Sequence, residues 1–579
     1  MLQELPPSTG RFTTNLVPSL LVTGVTRMKS DHDEVLKDFK PFVDEFLRPH
    51  LDGSRSGRDK ACVLVEMNDM SAYHVAHSML ATAIAAADDC PIVAFRLRRP
   101  MTLTHRLKAA LRRALGQRPL SEGSDAETSP YDCFADSVVA ITPRVTDRVR
   151  AWVAVRRFVK SRPERSKVER FVVAGIWIGD LAYDKHIQSG NPVVDPTDPE
   201  LVARLREFAS NALCVARFIR TTEARAVITA GLAVKPGIPL RAALACRIPA
   251  IPMTFDYAWR LDETHQNWNR DSLEYPDRFR RLTIDRQESA LAAAADYLER
   301  SIGLGSGEHL GKSLGGAAQT TGPQHVSTPW AMEPRPEMVS IPERFRGAKT
   351  ILVAVHAFYD APHSSGLGLF SDFYDWLEHL MEIAGRSDHL WLIKLHPDQR
   401  DEFLGVRDAV ARLVNDSENV VLIPSETNHR TLLHLGVDLV LTIYGTIAFE
   451  YPWVGVPAVA AQPDSLHSAY TYCHHPSSRE EYERLLLDST TWENPIDRRE
   501  ILEFVYCNYL APWNVSVFKR SPAVDFDDGG AFKKAGFYAL WSRTPADVNR
   551  GLLWVLGEWW KSGTYSLNYF AATNPEAHA

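Results

Sequence analysis

Short unbroken apolar runs recur along the chain, each followed by a longer segment with apolar residues at helical spacing. In the first half the runs are ACVLVE (61–66), PIVAFRL (91–97), 136–141, AVIT (226–229) and 248–255. Helical periodicity falls between them at 71–87, 103–115, 145–160, 201–221 and 238–246. The second half repeats the scheme with TILVAVHAF from Thr350, WLIKLHP (391–397), VVLI opening at Val420, 438–443 and a run ending at Val459. Helical segments there are 370–384 and 403–413. Runs this uniformly apolar are expected where helices cover both faces of a parallel sheet. Strands alternating with helices at this spacing predict an α/β chain with two Rossmann-like, doubly wound parallel-sheet domains facing a cleft.

Breaks in the pattern suggest the divisions. Residues 1–57 read as an N-terminal arm with one helix (31–47), and 58–302 as the first domain, closed by a strong helix at 285–302. Residues 303–337 are rich in Gly, Ser, Thr and Pro and read as a linker. Residues 338–480 form the second domain, and 481–579 a helical, aromatic-rich end segment.

Polar residues gather where the strands of the second half stop. Ligands in open parallel sheets bind at those carboxyl ends. Lys394, His396 and Pro397 end one strand: lysine offers a point charge to phosphate, histidine a donor, and proline a stiff turn. Ser425 ends the next. Gly445 and Thr446 open a helix whose first amides face an anion, and Glu450, one turn on, is placed to accept from ribose hydroxyls. The plain alternatives are a surface turn and a helix cap. HAFYDAPHS offers His356, Asp360 and His363 as sugar or acceptor contacts, with no further ligand at metal-binding spacing. In the first half, Asp180 and Asp184 of IGDLAYD are candidates for a base or for stabilising an oxocarbenium-like centre; a capping and an exposed carboxylate are the alternative.

Composition narrows this picture. At 579 residues the chain exceeds what one core normally serves. With 45% hydrophobic and 24% charged residues it is neither disordered nor fibrous, and a net charge of −7 argues against nucleic acid as a partner. Seven scattered cysteines without a C-x-x-C suggest reduced thiols in a cytoplasmic protein and no zinc site. No apolar run reaches the ~18 residues of a membrane span, so membrane contact is expected to be peripheral. Residues 96–118 hold eight basic and no acidic residues, and 144–170 is also basic-rich. Such stretches are either solvated helix faces or patches facing anionic lipid or a phosphorylated acceptor. GLGSGEHLGKS (303–313) misses the first glycine of a P-loop and follows a helix, and no G-x-G-x-x-G follows a strand.

The ordered set K-x-H-P, then D…GT…E…G-x-P up to Pro457, resembles the GT-B glycosyltransferases of bacterial surface and capsular polysaccharides, in particular the Kdo-transferase-like group that uses CMP-sugars. GDLAYD and HAFYDAPH are similar to segments of the same group. The resemblance implies a metal-independent glycosyltransferase that moves a sugar from a nucleotide-activated donor, such as CMP-Kdo, to a surface or capsular polysaccharide. It implies that His396 and Pro397 hold the phosphate and ribose, that Gly445, Thr446 and Glu450 close around the nucleotide, and that Asp180 or Asp184 serves the chemistry. The chain departs from the pattern at Leu395, where many members have proline, and at Tyr444-Gly445-Thr446, where serine pairs are common. No cofactor is expected, the nucleotide-sugar being a substrate. Expected partners are that donor, a glycan or lipid-linked acceptor and an anionic inner-membrane surface. A CDP-polyol phosphotransferase, a sugar-nucleotide epimerase and a non-catalytic polysaccharide assembly protein are the alternatives.

Overall fold

The computed structural model describes residues 37, 39–51, 61–68, 71–98, 129–253, 257–261, 270–302, 333–358, 360–397, 404–415, 417–493, 496–514, 517–520 and 546–574. The basic segment 103–115 and most of the expected linker lie outside them.

Two five-stranded sheets organise the chain, and both are entirely parallel. The first contains β1 (Val63–Glu66), β2 (Ile92–Leu97), β3 (Ser137–Ile141), β6 (Ala226–Thr229) and β7 (Ala250–Pro252) in the order β3-β2-β1-β6-β7. A two-residue hairpin, β4 (Val172–Val173) and β5 (Ile176–Trp177), stands apart from it. The second contains β8 (Thr350–Ala354), β9 (Leu390–Lys394), β10 (Val420–Ile423), β11 (Val437–Thr442) and β12 (Ala458–Ala460) in the order β10-β9-β8-β11-β12. Each sheet therefore reverses its strand order once, between β1 and β6 and between β8 and β11. In such sheets ligands usually bind outside the strand carboxyl ends at these reversals. This is the two-domain α/β plan that the apolar runs predict.

The helices that matter below are α1 (Ser71–Asp88), α2 (Val145–Lys160), α3 (Arg165–Glu169), α4 (Gly179–Ile187), α5 (Pro199–Thr221) and α6 (Val234–Ala245) in the first half. They continue with α7 (Ile284–Ile302), α8 (Phe373–Ala384), α9 (Leu404–Val414), α10 (His429–His434), α11 (Ile447–Trp453), α12 (Arg479–Leu487), α13 (Arg498–Val505), α14 (Ala546–Ser562) and α15 (Leu567–Thr573). Local chemistry sets their ends. Asp198 caps α5 by accepting from the amides of Glu200 and Leu201, with Pro199 in the first turn. Asp372 caps α8 in the same way through Tyr374 and Asp375.

Core packing crosses the boundaries that chain order suggests. Helix α7, expected to close the first domain, packs Ala290, Ala294 and Leu298 into the second domain's core with Phe504 of α13, and Tyr297 stacks on Tyr509 at 5.6 Å. Helix α14 runs the other way. Its Leu556 and Trp559 join Met79 and Ile84 of α1 in the first domain, and Trp560 Nε1 donates to Asp88 at 3.1 Å. Periodicity reveals that a helix has an apolar face but not which sheet receives it. A third core is shared by both domains, from Leu181 and Tyr183 of α4 to Phe373 and Trp376 of α8. No described helix is long and apolar enough to cross a membrane.

Trp559 is fully buried. Its replacement by alanine should cost about 3–5 kcal/mol, the usual cost of emptying a buried aromatic site. Urea unfolding measures this, and a loss below about 1 kcal/mol would mean that α14 is not an integral part of the first domain.

Candidate functional site

The reversal point of the second sheet is built from polar residues at four strand ends. His356 follows β8. Its Nε2 lies 3.1 Å from Thr442 Oγ1, and the Tyr444 amide donates to the same nitrogen at 3.3 Å. The Gly445 amide donates to Thr442 Oγ1 at 3.0 Å, which leaves the threonine proton for His356. Nε2 therefore accepts twice and the ring is neutral. Burial, with help from nearby His396, pushes its pKa down to about 3. The ring stacks on Phe373 at 5.2 Å and packs against Tyr444 at 4.2 Å. A Cβ on Gly445 would sit 2.8 Å from Thr442 Oγ1, so this turn requires glycine.

Lys394 is the last residue of β9 and is only 6% exposed. Among the described residues no carboxylate lies within ion-pair distance of it. Burial lowers its pKa to about 8, with Glu426 opposing from the turn after β10. Beside it His429, at the start of α10, is held neutral by burial and by the lysine charge, its pKa down to about 3. Its Nδ1 lies 3.0 Å from the Tyr451 hydroxyl of α11. Ser425 donates to Glu426 at 3.2 Å.

The first domain meets these strand ends through α4. Gly179 begins that helix hard against α3: a Cβ there would lie 2.1 Å from the Val168 carbonyl oxygen. Tyr183 donates its hydroxyl to Asp372, the cap of α8. Asp184 accepts from His363 Nδ1 at 2.5 Å, and Glu169 of α3 accepts from His363 Nε2 at 3.2 Å. All three groups are buried. Burial alone would lower the His363 pKa, but a carboxylate on each ring nitrogen raises it well above the ordinary value, so the ring is an imidazolium. Arg165 and Glu378 add an ion pair at 2.5 Å toward the rim of this seam.

The first sheet has its own reversal point, between β1 and β6. Glu66 ends β1, half-buried, and accepts from the Ala230 amide at 3.4 Å. Burial lifts its carboxyl pKa to about 8. The loop from β6 to α6 that carries Ala230 continues to Gly237, whose position would bring a Cβ within 2.7 Å of Leu181 of α4. Strand end, loop and α4 are thus one packed unit.

The residues singled out in the sequence are distributed unevenly over this arrangement. His356 and Gly445 sit together, and Asp360 and Asp184 both act electrostatically on Tyr444 beside them. His396 is half-buried next to His356, and Pro397 and Thr446 are exposed in the adjoining turns. Thr446 makes no side-chain cap bond, and α11 has only seven residues with Pro452 inside it. Glu450 lies toward Tyr297, Tyr451 and Tyr509. Asp180 and Asp184 both belong to α4, and both are about 1% exposed. Asp180 is paired with Arg241 of α6 at 2.8 Å, and that guanidinium lies 4.1 Å from the Trp177 ring. Burial raises the Asp180 pKa while Arg241 opposes it. Glu66, Glu169, Tyr183, Arg241, Asp372 and His429 were not among the expected site residues. For Glu66 a signal existed: it is a carboxylate at the end of the apolar run ACVLVE.

No protein-family model matches the chain, and no curated protein matches it. Among solved structures it is similar to a putative UDP-N-acetylglucosamine 2-epimerase from Listeria monocytogenes, at 10% identity over 78% of this chain and 92% of that one, with a TM-score of 0.21. It is also similar to the UDP-GlcNAc 2-epimerase from Neisseria meningitidis bound to UDP-GlcNAc, at 9% identity over 77% and 97%, TM-score 0.23. The glycosyltransferase SnogD from Streptomyces nogalater matches at 11% identity over 78% and 94%, TM-score 0.20. Scores this low carry no argument; the architecture rests on the two sheets themselves.

Removing His363 would strand two buried carboxylates. His363→Gln should destabilise the protein by about 3–5 kcal/mol, the range for breaking a buried charged pair. The folded chain also holds the His363 proton to higher pH than the unfolded chain does. Its contribution is complete below about 6.5, the unfolded value, and is lost as pH climbs toward the raised folded value. Urea midpoints should therefore fall above that pH in the native protein and fall less in His363→Gln. Identical slopes would mean that the ring is not charged.

Proposed function

We propose that the protein is a glycosyltransferase that takes a sugar from a nucleotide-activated donor, with the donor on the second domain and the acceptor on the first. The observation that carries this reading is Lys394: a nearly buried ammonium with no ionic partner among the described residues, at a strand end beside the reversal point of a parallel sheet. Burying a cation without a counter-charge is costly, and an anionic ligand would remove that cost. Neutral His356, Thr442 and the Tyr444-Gly445 turn are bonded to one another beside this lysine, which gives the strand ends a fixed, uncharged polar wall. Lys394, His396, Pro397, Ser425, Gly445, Thr446 and Glu450 are the proposed nucleotide contacts. His356 and Asp360 are proposed to face the sugar.

The acceptor's hydroxyl must lose a proton as the new bond forms. Glu66 suits that task better than Asp180 or Asp184. It is half-buried rather than fully buried, is held by one long hydrogen bond, and titrates close to working pH. Asp184 and His363 instead hold the loop after β8 against α4, and Asp180 with Arg241 stiffens α4. The departing nucleotide would leave as an anion, with Lys394 offsetting its charge. The family resemblance favours a CMP-sugar donor and a surface or capsular glycan acceptor, on an enzyme working at the cytoplasmic face of the membrane.

Calorimetry with CMP, CDP, UDP and GDP tests the donor side. One of them should bind, and Lys394→Met should weaken it by about 1–3 kcal/mol. Binding should also weaken as pH rises through about 8, where Lys394 loses its charge, and this dependence should vanish in Lys394→Met. Absence of binding by all four nucleotides would overturn the reading. A nucleotide-sugar converted to its epimer, or a polyol phosphate transferred, would replace sugar transfer with those chemistries.

Glu66→Gln tests the acceptor side. It should lower kcat by about 10²–10⁴ while leaving nucleotide affinity unchanged, the usual scale for losing a general base. In the native enzyme kcat/KM should rise with pH through about 8, since a base must be deprotonated in the free enzyme. Unchanged kcat in Glu66→Gln would remove Glu66 from the chemistry.

A further inference from the structure

We propose that the outer face of α2 is a docking surface for an anionic lipid membrane. The inward face of this helix is ordinary: Ala151 and Val155 are buried in the core shared with α5. The outward face is not. Val145, Val149 and Trp152 are 65%, 54% and 44% exposed, and they lie at successive turns of one stripe. Val153, one turn beyond Val149, is also partly exposed and packs into no core. Isolated exposed apolar residues are commonplace, but an apolar stripe along one helix, ending in a tryptophan, is a feature that water does not favour. Near the C-terminal end of the helix Phe158 packs on Phe171 at 4.7 Å, and the adjoining Val172 is again 49% exposed.

Charge decides what covers this stripe. The same helix and its flanks carry exposed Arg144, Arg150, Arg156, Arg157, Lys160 and Arg162 and partly exposed Arg148, in a chain whose net charge is −7. The one acidic residue between 142 and 163, Asp147, is turned inward, accepting from the Arg144 amide and paired with Arg217 at 2.8 Å. Arg156 lies over the Trp152 ring at 4.9 Å, which keeps a cation and an aromatic together at the surface. A second copy of the same face would set arginines against arginines, so self-association is disfavoured. A nucleic acid would meet the basic rim but leave the valines in water. Anionic headgroups with an acyl boundary beneath them satisfy both parts. Basic residues meet the headgroups, valines enter the boundary, and tryptophan sits at the interface, as in helices that lie in the membrane plane. The surface belongs to the first domain and is independent of the nucleotide reading, because it involves none of the strand-end residues.

Vesicle sedimentation of the full chain tests this. The protein should pellet with vesicles containing phosphatidylglycerol, much less with vesicles of phosphatidylcholine alone, and less with anionic vesicles in high salt. Val149→Asp combined with Trp152→Ser, and separately Arg150→Glu combined with Arg156→Glu, should each lower the partition coefficient about tenfold or more. The changed side chains are all exposed, so thermal midpoints and nucleotide titrations should be unchanged in these variants. Failure to pellet with anionic vesicles, equal pelleting with neutral ones, or full binding by both double variants would overturn the proposal. So would a concentration-dependent dimer that Val149→Asp abolishes without any lipid effect. A missing nucleotide titration in the native chain would count against the donor site and leave the lipid result standing.

Discussion

The buried imidazolium of His363, held between Asp184 and Glu169, is the constraint on which the rest of the arrangement depends. Each carboxylate lies in the first domain and the ring in the second. Burying three charges is costly, and an apolar seam of equal volume would be as stable or more so. What the triad provides instead is directional. A ring with a carboxylate on each nitrogen has one orientation, and a slip of the domains breaks both bonds. The loop after β8 is thereby tied to α4. That loop begins at His356, so the position of the second sheet's reversal point is set relative to the first domain. Asp372 reinforces the tie, since one carboxylate oxygen caps α8 while the other accepts the Tyr183 hydroxyl.

The sequence shows the sheets well and the seam poorly, for a physical reason. Strands buried on both faces must be apolar along their length, so β1, β8, β9 and β11 stand out in the chain. Their carboxyl ends are then located by counting, which is why Lys394, His356 and Gly445 could be picked out. The partners across the seam are a different matter. His363 lies 179 residues from Asp184 and 194 from Glu169. No local pattern marks Glu169, which reads as an ordinary charged residue on a short helix. IGDLAYD reads as two carboxylates open to a ligand, whereas the fold closes both inside α4 because Gly179 lets that helix press onto α3. Helices α7 and α14 were placed by chain order, and packing placed them otherwise.

The two reversal points differ in charge, and the difference bears on the proposed assignment of donor and acceptor to the two domains. In the second sheet His356, through burial and nearby His396, and His429, through burial and Lys394, are pushed toward the neutral form, whereas His363, farther along the loop after β8, is held charged by its two carboxylates. Lys394 is a cation there with no carboxylate within ion-pair distance among the described residues, and burial has already lowered its affinity for its proton. In the first sheet the corresponding group is Glu66, a carboxyl that burial has made a stronger base than a surface glutamate. Both groups are raised in energy by desolvation, and each would be relieved by a ligand of opposite need.

Sugar transfer separates its charges in that same sense. The bond to the nucleotide breaks with the electron pair passing to phosphate, so anionic charge grows on the donor side. The incoming hydroxyl gives up a proton, so a base is needed on the acceptor side. Exchanging the two groups would set a carboxylate against the leaving phosphate and an ammonium against the hydroxyl to be deprotonated, raising both barriers. An epimerisation confined to one bound nucleotide-sugar would place its acid and base around a single sugar and would make no demand for opposite charges at two reversal points. On the proposed reading, the asymmetry between Lys394 and Glu66 favours transfer between two substrates over rearrangement of one, and the His363 tie fixes the second sheet's strand ends against α4 of the first domain.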